Sequence, residues 1–152
     1  MVYRVILFII INFAALAIGG LFTRTGVDSA WYISQNKAPW TPPGWVFGAA
    51  WATIMVCYAV YMAFAVKATK ELQTLMILFG IQWILNVIWN PVFFYFNHVS
   101  AGLIIISLLT ILIAVFLFRY RREMKWKSLL ILPYFIWLLI ATSLNAYILF
   151  NN

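Results

Sequence analysis

The chain has 152 residues, of which 66% are hydrophobic and only 9% are charged. Soluble domains average about 45–50% apolar and about 25% charged residues, so this composition excludes an ordinary soluble domain and indicates an integral membrane protein. The formal net charge of +7 does not predict a nucleic-acid partner, because the basic residues lie in short segments between apolar runs. The single cysteine, Cys57, lies inside an apolar run and excludes an intramolecular disulfide.

Five apolar runs are long enough to cross a bilayer as helices, which takes about 20 residues each. They predict an all-α integral membrane protein, a five-transmembrane-helix bundle that forms a single domain over residues 1–152. The first run could instead be a cleaved signal peptide, but an apolar run of about 18 residues is long for that, and we predict that it is retained. We call the runs spans one to five, and they cover approximately residues 5–22, 44–66, 72–95, 101–118 and 129–150.

Span one places Asn12, Ala15 and Gly19 on one face. Ala15 and Gly19 are small residues four positions apart, a spacing that predicts the close approach of a neighbouring helix. Asn12 should face protein rather than lipid, because an amide without a partner is costly in hydrocarbon.

Residues 23–43 form the only long connection between spans. A loop of about 20 residues is typical of a lid or a binding loop, although a passive interfacial segment explains it equally well. Asp28 is predicted to cap a short helix within this loop. The loop leads into residues 40–45 (WTPPGW), where two prolines suit the first turn of a helix and Thr41 is the predicted N-cap.

Span two carries Gly44, Gly48 and Trp51 on one face. A face that is bare backbone at one end and aromatic further in can pack closely against a helix or admit a flat ligand. We predict that these glycines pack inside the protomer, because they share a face with Trp51. The seam of a homodimer would then use larger side chains.

Span three is unusually polar, with Gln82, Asn86 and Trp89 on one face. Two carboxamides four positions apart can bond each other, bind a ligand, or hold neighbouring helices together. Polar groups inside a span often mark function. Pro91 removes a backbone hydrogen bond and should kink the span near its end.

Spans four and five differ in character. Span four has only Ser107 and Thr110 as polar residues, which predicts a lipid-facing wall. Span five places Trp137, Ala141 and Asn145 within about one third of its circumference, so aromatic, small and carboxamide groups again share an arc.

The basic residues are distributed unequally between the two sides of the predicted bundle. Arg24 and Lys37 lie on the side of the long loop. The positive-inside rule therefore predicts a multi-pass protein with a cytoplasmic N-terminus and an external long loop. The other eight basic residues lie on the opposite side: Arg4, Lys67, Lys70, Arg119, Arg121, Arg122, Lys125 and Lys127.

Three motifs follow one another along the chain. The first comprises Trp31 and Tyr32, then residues 37–44 (KAPWTPPG), then Trp51; the second is Gln82, Asn86 and Trp89 in span three; the third is residues 133–145 (PYFIWLLIATSLN). Together they resemble the translocator protein family, also called the tryptophan-rich sensory protein or peripheral-type benzodiazepine receptor family. The resemblance extends from span one to the C-terminus. It implies a five-helix bundle, usually a homodimer, with a pocket beneath the long loop. The location that it implies for this chain is a bacterial cell membrane.

Members of that family bind porphyrins such as protoporphyrin IX, along with haem and, in animals, cholesterol and synthetic drugs. The resemblance therefore implies a tetrapyrrole ligand, protoporphyrin IX or haem, and no resident cofactor. No basic residue follows Tyr147, whereas the animal cholesterol motif requires one, so high-affinity sterol binding is not expected. Carried onto this chain, the ligand-binding residues are Tyr32, Trp40, Trp51, Asn86, Trp89, Trp137, Ala141 and Asn145.

Three functions stay open. The first is a membrane receptor or transporter for tetrapyrroles with a regulatory or sensory role, since a macrocycle needs flat apolar surfaces and a few polar tethers. The second is an enzyme that degrades protoporphyrin with light and oxygen, in which Trp51 and Trp137 would be the catalytic side chains. The third is a structural bundle without a ligand. The only histidine, His98, lies in a predicted turn, and we predict no metal site.

Overall fold

The computed structural model describes residues 1–152. It contains α-helices, one π-helical turn and one 3₁₀ segment, and no strand. The π-helical turn Pro91–Tyr95 continues α4, and the 3₁₀ segment Lys125–Ile131 precedes α7. The helices are α1 (Val2–Val27), α2 (Ala30–Ser34), α3 (Gly44–Ala68), α4 (Leu72–Asn90), α5 (Val99–Arg119), α6 (Arg121–Met124) and α7 (Leu132–Asn151).

Five helices are long and apolar enough to cross a membrane, which confirms the all-α, five-span class. They are α1, α3, α4 with its π-helical turn, α5, and α7 with the short segments before it. α1 extends beyond the predicted span at both ends, to Val2 and Val27. The limits of an apolar run mark where a helix leaves hydrocarbon, whereas its backbone hydrogen bonds continue into the polar interface.

The bundle is densely packed in the half remote from the long loop. Its core there contains the aromatic residues Tyr58, Tyr61, Phe116 and Tyr134, each no more than 1% exposed. The Tyr61 hydroxyl donates to the backbone carbonyl of Phe116 at 3.0 Å. The Tyr58 ring meets the rings of Phe116 and Tyr134 edge-on, at centroid distances of 5.9 and 5.4 Å. This aromatic packing leaves the opposite half, beneath the loop, as the part of the bundle that can hold a ligand.

The predicted interior face of α1 is confirmed. Asn12 is 2% exposed, and its amide donates to the backbone carbonyl of Met55 on α3 at 3.3 Å. Ala15 and Gly19 are both buried. A Cβ atom on Gly19 would lie 2.5 Å from the Asn90 amide nitrogen, so any larger residue here would displace the Asn90 side chain of α4.

Two predicted helix caps are wrong by one or two residues. Ser29, not Asp28, caps α2: its hydroxyl accepts a backbone N–H at 3.2 Å, while Asp28 ends the longer α1. Thr41 donates to a loop carbonyl at 2.7 Å, and Pro43 occupies the N-cap of α3. Because both prolines precede the helix, the first turn of α3 begins at Gly44 rather than at the prolines.

Pro91 widens the helix into a π-helical turn. The Phe96 N–H donates to the Pro91 carbonyl at 3.0 Å, one residue further along than in an α-helix. The missing N–H of Pro91 interrupts the regular hydrogen-bond ladder, which explains the change at this position. The turn buries Phe93 and Phe94, and the Tyr32 ring of α2 packs edge-on against Phe94 at 5.4 Å. The π-helical turn therefore supports the short helix of the long loop.

Candidate functional site

A cavity of about 620 Å³ lies beneath the long loop. Its volume is within the range of roughly 300–1,000 Å³ that is usual for small-molecule sites. Residues from α1, α3, α4 with its π-helical turn, α7 and the loop line it, so all these segments must come together to form it. The lining comprises Ala15, Leu16, Gly20, Thr23, Arg24, Val27, Tyr32, Lys37, Thr41, Pro42, Gly44, Phe47, Gly48, Trp51, Asn86, Trp89, Asn90, Phe93, Phe94, Trp137, Ala141, Leu144, Asn145 and Ile148.

All but one of the predicted ligand-binding residues line this cavity. Trp40 does not: it is 54% exposed, its indole N–H donates to the Ser143 hydroxyl at 3.1 Å, and its ring packs edge-on against Tyr147 at 5.4 Å. Trp40 thus anchors the loop to α7 outside the cavity. The residues that the structure brings together are Tyr32, Trp51, Asn86, Trp89, Trp137, Ala141 and Asn145.

The prediction that Gly44 and Gly48 pack inside the protomer is wrong. Nothing lies within 4 Å of a Cβ atom built on either glycine, and both line the cavity. No side chain or backbone atom of another helix therefore covers the α3 backbone at these two positions. The glycine face therefore provides a flat wall for a ligand.

Three indoles from three helices form much of the remaining wall. Trp89 stacks on Phe93 with centroids 5.2 Å apart and planes 16° apart. Trp137 packs edge-on against Phe47 at 5.4 Å, and Trp51 packs edge-on against a buried tyrosine at 5.9 Å. Because each indole is held by a second aromatic ring, the walls are fixed before any ligand binds.

A second, shallower groove of about 350 Å³ lies between α3 and α7. Its lining is mostly apolar and includes Ala49 and Ile136. Trp137 is the only residue that lines both this groove and the main cavity. The Trp137 side chain is therefore the partition between the cavity and the surface groove.

The carboxamides of the bundle have different roles. Asn145 accepts from the Trp89 indole N–H at 3.2 Å and donates to the Val99 carbonyl at 3.0 Å, so it joins α4, α5 and α7. Gln82 lies outside the cavity lining and donates to the Tyr134 hydroxyl at 2.7 Å. Both residues hold helices together, which was one of the alternatives predicted for such carboxamides.

Asn86 is the exception among them. It is 6% exposed and lines the cavity, yet its side chain makes no hydrogen bond to the protein. The predicted bond between Gln82 and Asn86, one of three alternatives, is absent. A buried amide with free donors and acceptors at a cavity wall is suited to a polar atom of a ligand.

Sequence reasoning missed the cationic lining of this cavity. Arg24 and Lys37 both contribute to it, whereas from the sequence they were assigned only to membrane topology. The Lys37 ammonium lies 4.6 Å from the centroid of the Tyr32 ring. Burial raises the pKa of the Tyr32 phenol, which therefore stays a neutral hydroxyl group. The positions of these two cations in the sequence could have indicated their place in the lining, because they flank the aromatic residues of the long loop.

Comparison with known proteins identifies similarity over most of the chain. Residues 7–150 match the TspO/MBR family. The chain is 34% identical to the tryptophan-rich protein TspO of Archaeoglobus fulgidus, over 91% of this chain and 92% of the relative. It is 33% identical to the tryptophan-rich protein TspO of Chlorobaculum tepidum, over 86% and 85%. It is 30% identical to the translocator protein of Bos taurus, over 84% and 78%.

Two of the three asparagines that line the cavity, Asn86 and Asn145, should respond differently to the same substitution. Asn145→Leu should lower the free energy of unfolding by about 1–2 kcal/mol, because the Trp89 indole and the Val99 carbonyl lose their partner. Asn86→Leu, the matched control, should change it by less than about 0.5 kcal/mol or raise it, since no protein hydrogen bond is lost. Thermal unfolding of the purified variants in detergent measures both. Equal destabilisation by the two substitutions would contradict the assigned roles.

Proposed function

Because this chain belongs to the TspO/MBR family, we propose that it is a membrane receptor or transporter that binds a tetrapyrrole, protoporphyrin IX or haem, beneath its long loop. The resemblance noted in the sequence is confirmed by these matches. Relatives bear the names tryptophan-rich sensory protein and translocator protein, which support a sensory or transport role here. The observation that carries the proposal is the wall of the cavity, three indoles beside a bare glycine face and one free carboxamide.

The wall suits a flat macrocycle for physical reasons. Gly44 and Gly48 let the edge or face of a ring approach the α3 backbone, and Trp51 continues the same face. Burying a broad aromatic ligand against indoles releases water from apolar surface and adds favourable ring contacts. Asn86 supplies a hydrogen bond that fixes the orientation of the bound ring.

Filling the glycine face should weaken porphyrin binding without unfolding the protein. Gly48→Leu places a side chain into open space inside the cavity, and we expect the affinity for protoporphyrin IX to fall at least about tenfold. Gly80→Leu is the matched control, because Gly80 also has nothing within 4 Å of its Cβ position but does not line the cavity. Titration of the purified proteins with porphyrin in the dark, followed by absorption, measures the affinities. Wild-type affinity in Gly48→Leu would place the ligand elsewhere, and failure of the wild type to bind would remove the proposed function.

A second candidate function is the degradation of protoporphyrin with light and oxygen. It is favoured by one observation: Trp51 on α3 and Trp137 on α7 line the same cavity. A light-excited porphyrin can take one electron from an indole, which leaves an indole radical cation and a porphyrin radical anion. Dioxygen is then the terminal oxidant. The alternative is that the two tryptophans only shape the cavity.

Replacing the indoles separates these two accounts. If the chemistry occurs, Trp51→Phe and Trp137→Phe should keep dark binding but lose most of the light-dependent loss of porphyrin, because phenylalanine is far harder to oxidise. The measurement is the decay of the porphyrin absorption band under fixed illumination, normalised to occupancy, with an oxygen-free control. Equal normalised rates in the wild type and both variants would rule out a catalytic role for the two indoles.

We further propose that the N-terminus is cytoplasmic and that the cavity opens toward the outside of a bacterial cell membrane. The unequal distribution of basic residues supports this orientation. Ser34 in α2 is exposed on the side of the long loop. A cysteine placed at Ser34, in a background that lacks Cys57, should react with a membrane-impermeant reagent in intact cells. Reaction only after the membrane is opened would reverse the orientation.

We also propose that the protein forms a homodimer, as its family resemblance implies. The small-residue pair of α1 is occupied within the protomer, where Gly19 packs against Asn90 of α4. Because Gly44 and Gly48 line the cavity proposed for the ligand, we place the dimer seam on larger, exposed side chains, such as Ile84 and Ile88 of α4 or Ile104 and Ile111 of α5. The mass of the protein extracted together with its lipids would decide between a dimer and a monomer.

A further inference from the structure

The stretch between α2 and α3, residues 35–43, forms part of the cavity wall. Lys37, Thr41 and Pro42 of this stretch line the cavity, and we call residues 35–43 the lid segment. The lid segment contains no helix, so it depends on contacts with the bundle to stay in place. A ligand that enters from the side of the long loop has to displace this segment.

The lid segment begins at an attachment made of packed aromatic rings. Trp31 and Tyr32 of α2 pack edge-on against Phe93 and Phe94 of the π-helical turn, at centroid distances of 5.7 and 5.4 Å. Both phenylalanines are buried. Separating these rings would expose apolar surface and lose ring contacts, so α2 should stay in place when the lid segment moves.

A polar attachment joins the middle of the lid segment to the end of α7. The Asn152 side chain accepts from the Asn36 backbone N–H at 2.7 Å and donates to the Asn36 carbonyl at 3.2 Å. The same amide nitrogen donates to the Ile148 carbonyl at 2.9 Å, which fixes the direction of the side chain. The Trp40 indole N–H donates to the Ser143 hydroxyl at 3.1 Å. We call the two contacts, Asn36 with Asn152 and Trp40 with Ser143, the α7 clasp.

The α7 clasp differs from the aromatic attachment in its exposure to water. It provides the only hydrogen bonds between the lid segment and any part of the bundle other than α2 and α3. All of its hydrogen bonds are exposed. Because water can replace each partner, the net cost of breaking them is small. The lid segment can therefore open at α7 while it stays attached at α2.

We infer that the α7 clasp sets the rate at which ligands enter and leave the cavity, with Asn152 and Ser143 as positioning residues for the lid segment. The inference rests on the proposed function for the identity of the ligand, whereas the opening of the lid segment does not. Neither Asn152 nor Ser143 lines the cavity. A weaker clasp should therefore open the free and the occupied protein in the same proportion, so that association and dissociation both accelerate and Kd stays constant.

The test measures rates and affinity separately for protoporphyrin IX in the dark. Asn152→Ala and Ser143→Ala should each raise both rate constants by about two- to tenfold, as expected for the loss of an exposed hydrogen bond, and leave Kd within about twofold of the wild type. Trp40→Phe keeps a ring against Tyr147 but lacks the indole N–H, so it should match Ser143→Ala. Stopped-flow mixing measures association, and transfer to excess empty lipid vesicles measures dissociation.

Asn151→Ala is the matched control for Asn152→Ala. The Asn151 amide donates to the Tyr147 carbonyl within α7 at 2.9 Å and does not contact the lid segment, so both rates should stay at the wild-type value. Equal acceleration in Asn151→Ala and Asn152→Ala would show that any loosening of the α7 end has this effect, and would overturn the inference. A weaker affinity with an unchanged association rate in Asn152→Ala would also overturn it.

Locking the lid segment tests the route directly. Cysteines at Asn36 and Asn152, in a background that lacks Cys57, can be joined by a short, reducible bifunctional thiol reagent. The cross-linked protein should not exchange porphyrin over the time in which the wild type reaches equilibrium, and reduction should restore exchange. Exchange at the wild-type rate in the cross-linked protein would show that the ligand takes another route, and would overturn the inference.

A readout without porphyrin separates this inference from the proposed function. Ala141 lines the cavity and is 9% exposed, so a cysteine at Ala141, without Cys57, reports opening through its rate of alkylation by a water-soluble reagent. Asn152→Ala should raise that rate by about two- to tenfold, and Asn151→Ala should not. If the wild type binds no porphyrin, the proposed function fails and the alkylation rates still decide. An unchanged alkylation rate in Asn152→Ala would overturn the inference whatever the porphyrin result.

Discussion

The absence of water in the bilayer interior is the constraint on which this structure depends. Each polar side chain placed in a span needs a partner, and those partners fix where the helices lie. Asn12 joins α1 to α3, Asn145 joins α7 to α4 and α5, and the hydroxyl of Thr23 on α1 donates to the Asn90 amide oxygen at 2.6 Å. Thr23, Asn90 and Asn145 of these contacts also line the cavity. The Asn86 amide and the Trp137 indole N–H line the cavity without such a partner, so they are polar groups that this arrangement leaves for a ligand.

The two halves of the bundle differ in packing: one is filled, and the other contains the cavity. Large aromatic side chains fill the half remote from the loop, whereas glycines on α3 keep the other half open. A bundle with only a structural role would gain packing energy by closing a space of about 620 Å³, since a void forfeits dispersion contacts along its whole lining. The open half therefore favours ligand binding over a purely structural role. Its lining combines the side chains of Arg24 and Lys37 and the Asn86 amide with indoles and glycine backbone, a combination suited to an amphiphilic ligand.

Hydropathy and helical periodicity predicted the five spans, the interior face of α1 and most of the cavity lining, because each depends on which side of a helix a residue occupies. They could not predict what covers that side. Gly44 and Gly48 were placed on the correct face, but whether a helix or open space lies opposite them is decided by the whole bundle. Trp40 lies in a loop, where no periodicity fixes the direction of a side chain. Asp28 was predicted as the cap of α2 in place of Ser29, because α1 continues past its apolar run and ends at Asp28. The cations were assigned to topology alone, since charge counting does not show that a loop folds back over a cavity.

The most direct test of the central claim, that the cavity beneath the loop is a tetrapyrrole site, is an experimental structure of the protein with protoporphyrin IX bound. We predict that the macrocycle lies against the glycine face of α3, in contact with Trp51 and Trp137. A macrocycle bound in the groove between α3 and α7 or at a protomer interface, with the cavity beneath the loop occupied only by water or lipid, would contradict it.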